Sequence, residues 1–339
     1  MNVSTSLILS EPKTLMLRAL FLAVAATLVL SCGGAPTDSQ STVAIACNEA
    51  VVDPNCHTMQ FGGVTRAYLL HVPANFHAGT SGLVVALHGS QGSGLRLMNT
   101  SGLNAESDAM GFAVAYPFSL VSPGAGFTEW NEFYNHSYGT SPPDDVGFIR
   151  QVILELQASI SPDPKRIYVT GLSNGGMMAH RVGVQLSSLV AAIGVVEGTL
   201  VSPGAVSTVP AAAGPVSVLI LHGDQDPTVP CCSAPPVASQ EETFNYWSGA
   251  SANACTTVDT TQPICDSQGN PTSVIEKHAS GCKGGAEVQY YRLEGGVHLW
   301  YTAPMNVAGQ VPFNPDFGAA TGTTTDDILW KFFVAHPKG

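Results

Sequence analysis

Gly171-Leu172-Ser173-Asn174-Gly175 decides the fold of this chain. It follows Ile167-Tyr168-Val169-Thr170, an apolar run of the length of a buried strand, and precedes Met177-Met178-Ala179-His180-Arg181-Val182, which reads as helix. Gly-x-Ser-x-Gly at a strand-to-helix junction is the nucleophile elbow, a turn so tight that only glycine fits on either side of the serine. Ser173 then projects from the end of a sheet, beside the backbone N–H groups of a helix N-terminus. Gly and Ser crowd many loops, so the pattern needs partners before it carries chemistry.

Working outward, Leu83–Leu87, Phe112–Tyr116, Arg166–Thr170, Ala191–Val196, Val216–Leu221 and Glu287–Leu293 are short apolar runs, the mark of central parallel strands. Val64–Val72 alternates like an edge strand. Helical spacing separates them at Asp145–Leu156, with Asp144 or Asp145 as N-cap, and again at Thr325–Phe333. The alternation predicts a doubly wound, mostly parallel α/β sheet with its site at the carboxyl ends of the strands. Pro235–Gly281 shows little periodicity and reads as a disulfide-bearing insertion over the sheet edge. Internal repeats are lacking.

A serine hydroxyl attacks only when a histidine takes its proton and a carboxylate holds the imidazolium. After Val216–Leu221 comes His222-Gly223-Asp224-Gln225-Asp226-Pro227-Thr228-Val229-Pro230; after Glu287–Leu293 comes Glu294-Gly295-Gly296-Val297-His298-Leu299-Trp300. Ser…Asp…His is the order that an α/β-hydrolase fold uses. Asp226 is the expected orienting acid, with Asp224 stabilising the turn. His298 is the expected base, and His222 a packed, hydrogen-bonded residue. The oxyanion needs two N–H donors: Asn174 follows the nucleophile, and Ser90, with Gln91 second, lies in Leu87-His88-Gly89-Ser90-Gln91-Gly92-Ser93-Gly94. That glycine-rich loop lacks Gly-Lys-Ser/Thr and the Gly-x-Gly-x-x-Gly spacing, which argues against a nucleotide. His-Glu-x-x-His and a close His/Asp cluster are missing, so a metal is not expected. His88, Trp130 (in the Gly126–Gly139 loop) and Trp300 are the substrate-binding candidates, whereas Trp247 and Trp330 fit the core. The Asp144-Asp145 pair reads as a helix cap rather than an acid/base pair.

From Phe61 to Trp300 the chain resembles the extracellular polyhydroxybutyrate depolymerase/feruloyl esterase family of α/β-hydrolases. The marks are Arg66-Ala67-Tyr68, Val72-Pro73-Ala74, Leu87-His88-Gly89, Gly111-Phe112 with Tyr116-Pro117, Trp130-Asn131, Asp144–Ile149, Arg166–Met178, His222-Gly223…Asp226…Val229-Pro230 and His298-x-Trp300. The resemblance implies a secreted, cofactor-free serine esterase acting on polyesters, hydroxycinnamoyl-sugar esters or acetylated xylan, with Ser173, Asp226 and His298 as its triad. The chain departs from the family beside the histidine. Val297 stands for the usual Gly, and Leu299-Trp300-Tyr301-Thr302 for Thr-Trp-Pro-Gly, so an altered pocket rim is expected.

The 339 residues suit one large α/β domain, assigned to 46–339. A net charge of −12 repels phosphate backbones, so nucleic acid is not an expected partner. Lys13 and Arg18 lead into Ala19–Leu30, an apolar run too short to span a bilayer but suited to a secretory signal. Val29-Leu30-Ser31-Cys32 resembles a lipoprotein box. Residues 1–32 are thus expected to be a lipoprotein-like leader, with Cys32 the only tie to a membrane, and 33–45 a flexible tether. A plain leader cut a few residues later is the alternative, and Met16 is a second possible start. Seven further cysteines fit disulfides in an oxidising compartment. The expected pairs are Cys47–Cys56, Cys255–Cys282, and Cys265 with Cys231 or Cys232. The chain is expected to be a monomer acting on a polymeric or plant-cell-wall ester. Rival readings are an acetylxylan-type esterase, a peptidase or thioesterase, and an inactive ligand-binding lipoprotein on a hydrolase scaffold.

Overall fold

The structure is a computed structural model that describes residues 55–133, 138, 142–200, 205–230, 240–260, 274–293, 296–302 and 324–339. They belong to one compact unit, Ser39–Gly339. The leader, the tether, Cys32, Cys47, Cys231, Cys232 and Cys265 lie outside them.

The strands are β1 (Cys56–Phe61), β2 (Val64–His71), β3 (Leu83–Leu87), β4 (Ala113–Pro117), β5 (Leu120–Val121), β6 (Thr128–Glu129), β7 (Ile167–Leu172), β8 (Ala192–Val196), β9 (Ser217–Gly223), β10 (Thr257–Thr260), β11 (Val274–Ser280) and β12 (Val288–Leu293). The helices are α1 (Gly94–Thr100), α2 (Leu103–Met110), α3 (Asp145–Ser159), α4 (Asn174–Leu186), α5 (Gln240–Ser248) and α6 (Thr325–Ala335). Ten strands form one sheet in the order β1-β2-β4-β3-β7-β8-β9-β12-β11-β10, and β5 pairs with β6 beside it. From β4 to β12 every neighbouring pair is parallel.

Both faces of the sheet are covered at β3, β4, β7, β8 and β9, which is why these strands read as near-continuous apolar runs. In β3, Leu83, Val85 and Leu87 pack with residues of α3, α4 and α5. Val84 and Ala86 point the other way, towards α1, α2 and α6. Two helix starts follow their caps: Asp144 accepts from Gly147 N–H at the head of α3, and Thr324 forms a reciprocal box with Asp327 at the head of α6.

Register brings the key loops to one rim. Leu172 pairs with Val196, Val196 with Leu221, and Gly223 with Leu293. Ser173, Glu197, the turn after Gly223 and the loop carrying His298 therefore leave the sheet side by side.

Three sequence expectations change. Val64–Val72 does not hold the edge, because β1 pairs outside β2. Arg66, on β2, is buried: its guanidinium donates to Asp145 Oδ1 at 2.7 Å and to Phe118 O at 3.1 Å. It also lies 3.9 Å over the Phe148 ring. Asp145 is thus the partner of a buried ion pair, and capping belongs to Asp144 alone. The described residues of Pro235–Gly281 hold α5 and add β10 and β11 antiparallel to the sheet, extending it at that edge. The Cys255–Cys282 disulfide ties this segment to the residue just after it, two residues beyond the Thr257–Ser280 pair on each strand. Cys56 is disulfide-bonded to a partner outside the described residues. No helix among the described residues is long and apolar enough to cross a membrane.

Candidate active site

Ser173 occupies φ 57°, ψ −123° between β7 and α4, a left-handed backbone that costs a non-glycine residue about 1–3 kcal/mol. Its N–H donates to Val196 O at 2.8 Å, which ties the strained turn to the neighbouring strand. Gly175 is obligatory here, since a Cβ would lie 2.1 Å from Leu87 O. Asn174 opens α4, where a backbone N–H has no partner within the helix. Its side chain, which the sequence reading did not use, accepts from Trp130 N–H at 2.6 Å and so fixes the loop after β6 against the elbow.

Asp226 and His298 meet as expected. His298 Nδ1 lies 2.7 Å from Asp226 Oδ2, with the Asp226 side chain fully buried and the imidazole partly exposed. Asp226 Oδ1 accepts from Thr228 N–H at 2.7 Å and Val229 N–H at 2.9 Å. Burial alone would raise its pKa. The nearby Nε2–H of His222, the hydrogen bonds from His298 and Val229, and the charge of His298 outweigh burial and hold the carboxyl far below the usual carboxylate range. Asp224 spends its backbone N–H on Leu293 O, a turn contact.

The two loops touch through bare backbone. A Cβ on Gly223 would lie 2.3 Å from Gly296, and Gln225 N–H donates to Gly296 O at 2.9 Å. The Tyr301 hydroxyl closes the His298 loop from within, accepting from Val297 N–H at 2.8 Å and donating to Val297 O at 2.7 Å. Tyr301 is buried. It braces the loop that carries His298 instead of forming the rim that the sequence suggested.

Ser173 and His298 line one cavity of about 360 Å³ together with His88, Ser90, Arg96 and Leu299. Of the two loop donors considered, Gln91 N–H is bonded to Thr128 O at 2.8 Å, whereas Ser90 N–H has no partner among the described residues. His88 is buried and uses both ring nitrogens: Nε2 accepts from Ser119 N–H at 3.1 Å, leaving Nδ1–H to donate to Gly89 O at 2.8 Å. Burial, and beside it the charge of Arg66, lowers its pKa to about 4 and keeps it neutral. Its hydrogen bonds shape the turn that presents Ser90, and it touches the cavity only as wall.

The two tryptophans part company. Trp130 is completely buried behind the cavity, donating its indole N–H to His88 O at 2.8 Å. It is scaffold rather than an acyl wall. Trp300 lines the cavity but is 9% exposed, and its N–H bonds Ser101 O at 2.8 Å and Asp326 Oδ1 at 3.0 Å. Asp326 is buried, and burial, joined by the charge of Glu106, pushes its pKa up to about 8 against the opposing Trp300 hydrogen bond. The native state therefore holds a proton that the unfolded chain releases at ordinary carboxylate pH. Stability falls as pH rises through the window ending near about 8. Asp326→Asn keeps the acceptor and removes the titration. Its Tm should gain on that of the parent progressively between about pH 5 and pH 8, as thermal melts across that range will read.

Glu197, His222 and Gln240 also stand at this site, and sequence reasoning singled out only His222. The three acid and imidazole groups Glu197, His222 and Asp226 are all buried, with ligand atoms within 4.8 Å of one another. Gln240 Nε2 donates to His222 Nδ1 at 2.7 Å, so the remaining Nε2–H faces Val229 O at 2.7 Å. A protonated Nε2 cannot ligate a metal, so this set is a hydrogen-bond web. A carboxylate directly after the apolar run Ala191–Val196 was the one available signal for Glu197.

Comparison with known proteins agrees with the geometry. The family described as esterase PHB depolymerase matches residues 66–217, which include Ser173 but end before Asp226 and His298. The putative esterase NocK of Nocardia uniformis subsp. tsuyamanensis is 30% identical over 276 residues, 76% of each chain. Feruloyl esterase C of Emericella nidulans is 23% identical over 80% of this chain and 84% of its own. Among solved structures, the acetyl xylan esterase from Aspergillus awamori superposes with a TM-score of 0.51 at 19% identity, over 72% of this chain and 93% of that one. An S-formylglutathione hydrolase from Agrobacterium tumefaciens gives 0.52 at 11% identity, over 82% and 94%. Both share the α/β-hydrolase fold.

Proposed function

The chain belongs to the esterase PHB depolymerase family of α/β-hydrolases and is a carboxylic-ester hydrolase, and on that footing we propose that it works through an acyl-enzyme on Ser173. The carrying observation is the 2.7 Å bond from Asp226 to His298, with His298 and Ser173 on one cavity wall. Ser173 Oγ attacks the ester carbonyl while His298 Nε2 takes its proton. The oxyanion rests on the backbone N–H groups of Asn174 and Ser90. Collapse releases the alcohol, which takes the proton from His298, and water attacks the acyl-enzyme by the same route.

The acyl group we favour is aliphatic and hydroxylated, of the polyhydroxyalkanoate type. With Trp130 buried and the Tyr301 hydroxyl engaged inside its own loop, the described wall offers no facing pair of rings for a hydroxycinnamoyl group. It offers Leu97, Leu172 and the half-exposed Leu299 instead. Arg96, exposed and without an ion-pair partner among the described residues, suits the free carboxylate of a hydroxyacid oligomer. The protein acts outside the cytosol, a reading supported by the Cys255–Cys282 disulfide and the apolar leader, with a lipid on Cys32 as its tether.

Release of soluble hydroxyacids from a polyhydroxybutyrate suspension and its oligomers should exceed release of ferulate from methyl ferulate and of acetate from acetylated xylan. Faster cleavage of methyl ferulate would move the substrate to hydroxycinnamoyl esters. Faster cleavage of a matched amide or thioester would change the bond.

A further inference from the structure

Of the five described non-glycine residues with positive φ, two directly follow neighbouring strands of the sheet: Ser173 after β7 and Glu197 after β8, at φ 49°. Strain of this kind persists where the surroundings impose it, and it gathers at functional sites. Glu197 is wholly buried. Its N–H donates to Leu221 O at 2.9 Å, and both carboxyl oxygens accept from Gly223 N–H, at 3.1 and 3.0 Å.

That carboxyl converges with Asp226 on one donor. Glu197 Oε2 lies 3.4 Å from His222 Nε2, and Asp226 Oδ2 lies 3.3 Å from the same nitrogen. The single Nε2–H is already directed at Val229 O. One proton cannot serve three acceptors, and two buried carboxylates at this separation cannot both carry charge. Asp226 has three further donors, from Thr228, Val229 and His298, and among the described residues Glu197 has Gly223 N–H alone. The charge therefore belongs on Asp226 and the proton on Glu197.

We propose that Glu197 is a positioning residue: a neutral carboxylic acid whose O–H donates to Asp226, fixing the acceptor that orients His298. This rests on the assignment of Ser173, Asp226 and His298 above. The proton on Glu197 stays in place through turnover, and the only proton that moves is the one His298 carries. Burial, followed by the charge and hydrogen bond of Asp226, raises the pKa of Glu197 well above the carboxylate range, against the pull of Gly223 N–H. The titratable groups facing it are His222 on β9, Asp226 beyond β9, Tyr290 on β12 and Tyr301 beyond His298. Burial pushes both phenols up, so they stay neutral. His180 on α4 acts on the web through His222, and burial with that neighbour lowers its pKa to about 3.

Because the protonated form is the working one, activity falls as Glu197 ionises at alkaline pH. Glu197→Gln keeps one donor and one acceptor in the same shape but cannot ionise. It should retain kcat within about twofold at neutral pH and lose the alkaline decline. Glu197→Met removes the donor and should lower kcat by about tenfold or more with KM little changed, the scale of one hydrogen bond to a charged group. Active sites are counted with a fluorophosphonate, so rates refer to folded enzyme. An infrared difference spectrum, parent minus Glu197→Gln at neutral pH, should show a protonated-carboxyl C=O stretch. The proposal is overturned if Glu197→Gln is as impaired as Glu197→Met, if Glu197→Met matches the parent in rate and pH profile, or if the carboxyl band is missing. Loss of activity with a chelator and its return with a divalent cation would overturn it in favour of a metal. Ser173→Ala, run alongside, separates the two assignments: if it retains activity, the triad falls, whereas if it is dead and the Glu197 variants behave as the parent, only Glu197 falls.

Discussion

Ser173→Ala loses roughly 10⁴-fold or more in kcat on any ester the enzyme accepts, with KM little changed and no labelling by a fluorophosphonate. The size follows from what the change removes. Alanine keeps the Cβ and the strained turn at φ 57°, so the Val196 bond and the start of α4 survive. Only the attacking oxygen is gone, while the cavity and the N–H donors remain to hold substrate. The residual rate should then come from water activated in the same site. Melting temperature close to that of the parent is part of the expectation, and a variant that turns over at near-normal rate would remove Ser173 from the reaction.

Asp226→Asn is expected to cost about 10⁴-fold in kcat while leaving the fold intact. As a carboxylate, Asp226 accepts from His298 Nδ1, which leaves Nε2 unprotonated and ready to take the serine proton. The amide can keep its oxygen on Thr228 and Val229 N–H, and it then turns an NH₂ towards His298. The imidazole answers with its other tautomer, placing a proton where the base is needed. A loss confined to kcat, with an unchanged far-UV spectrum, is the signature. A loss in KM alone would mean that Asp226 only shapes the cavity.

The parallel core was legible because residues buried on both faces leave little polar interruption, and six mostly apolar runs mark the strands from β4 to β12. The candidate triad was legible because its members follow strand ends in chain order. What escaped was whatever depends on neighbours distant in sequence. Arg66 looks like an ordinary edge-strand cation until Asp145 is folded against it. Trp130 and Tyr301 look like ligand walls until their N–H and O–H groups find partners inside the protein. Glu197 carries no motif, and its meaning comes from His222, Gly223 and Asp226, which reach it from one later segment. The antiparallel extension of β10 and β11 is short and polar on its outer strand, so its sequence has the texture of a loop.

The contact of Gly223 with Gly296 has a consequence for anyone diversifying this enzyme. Where the loops of Asp226 and His298 meet at these glycines, their spacing is set by main chain against main chain. A saturation library should therefore show two nearly blank columns at these glycines, as intolerant as Ser173 itself, although neither touches substrate. Leu299, a half-exposed neighbour of the base that takes no part in that contact, should tolerate wide replacement. Selectivity for the acyl chain is thus open to redesign at a position one residue from the base without loosening the base itself.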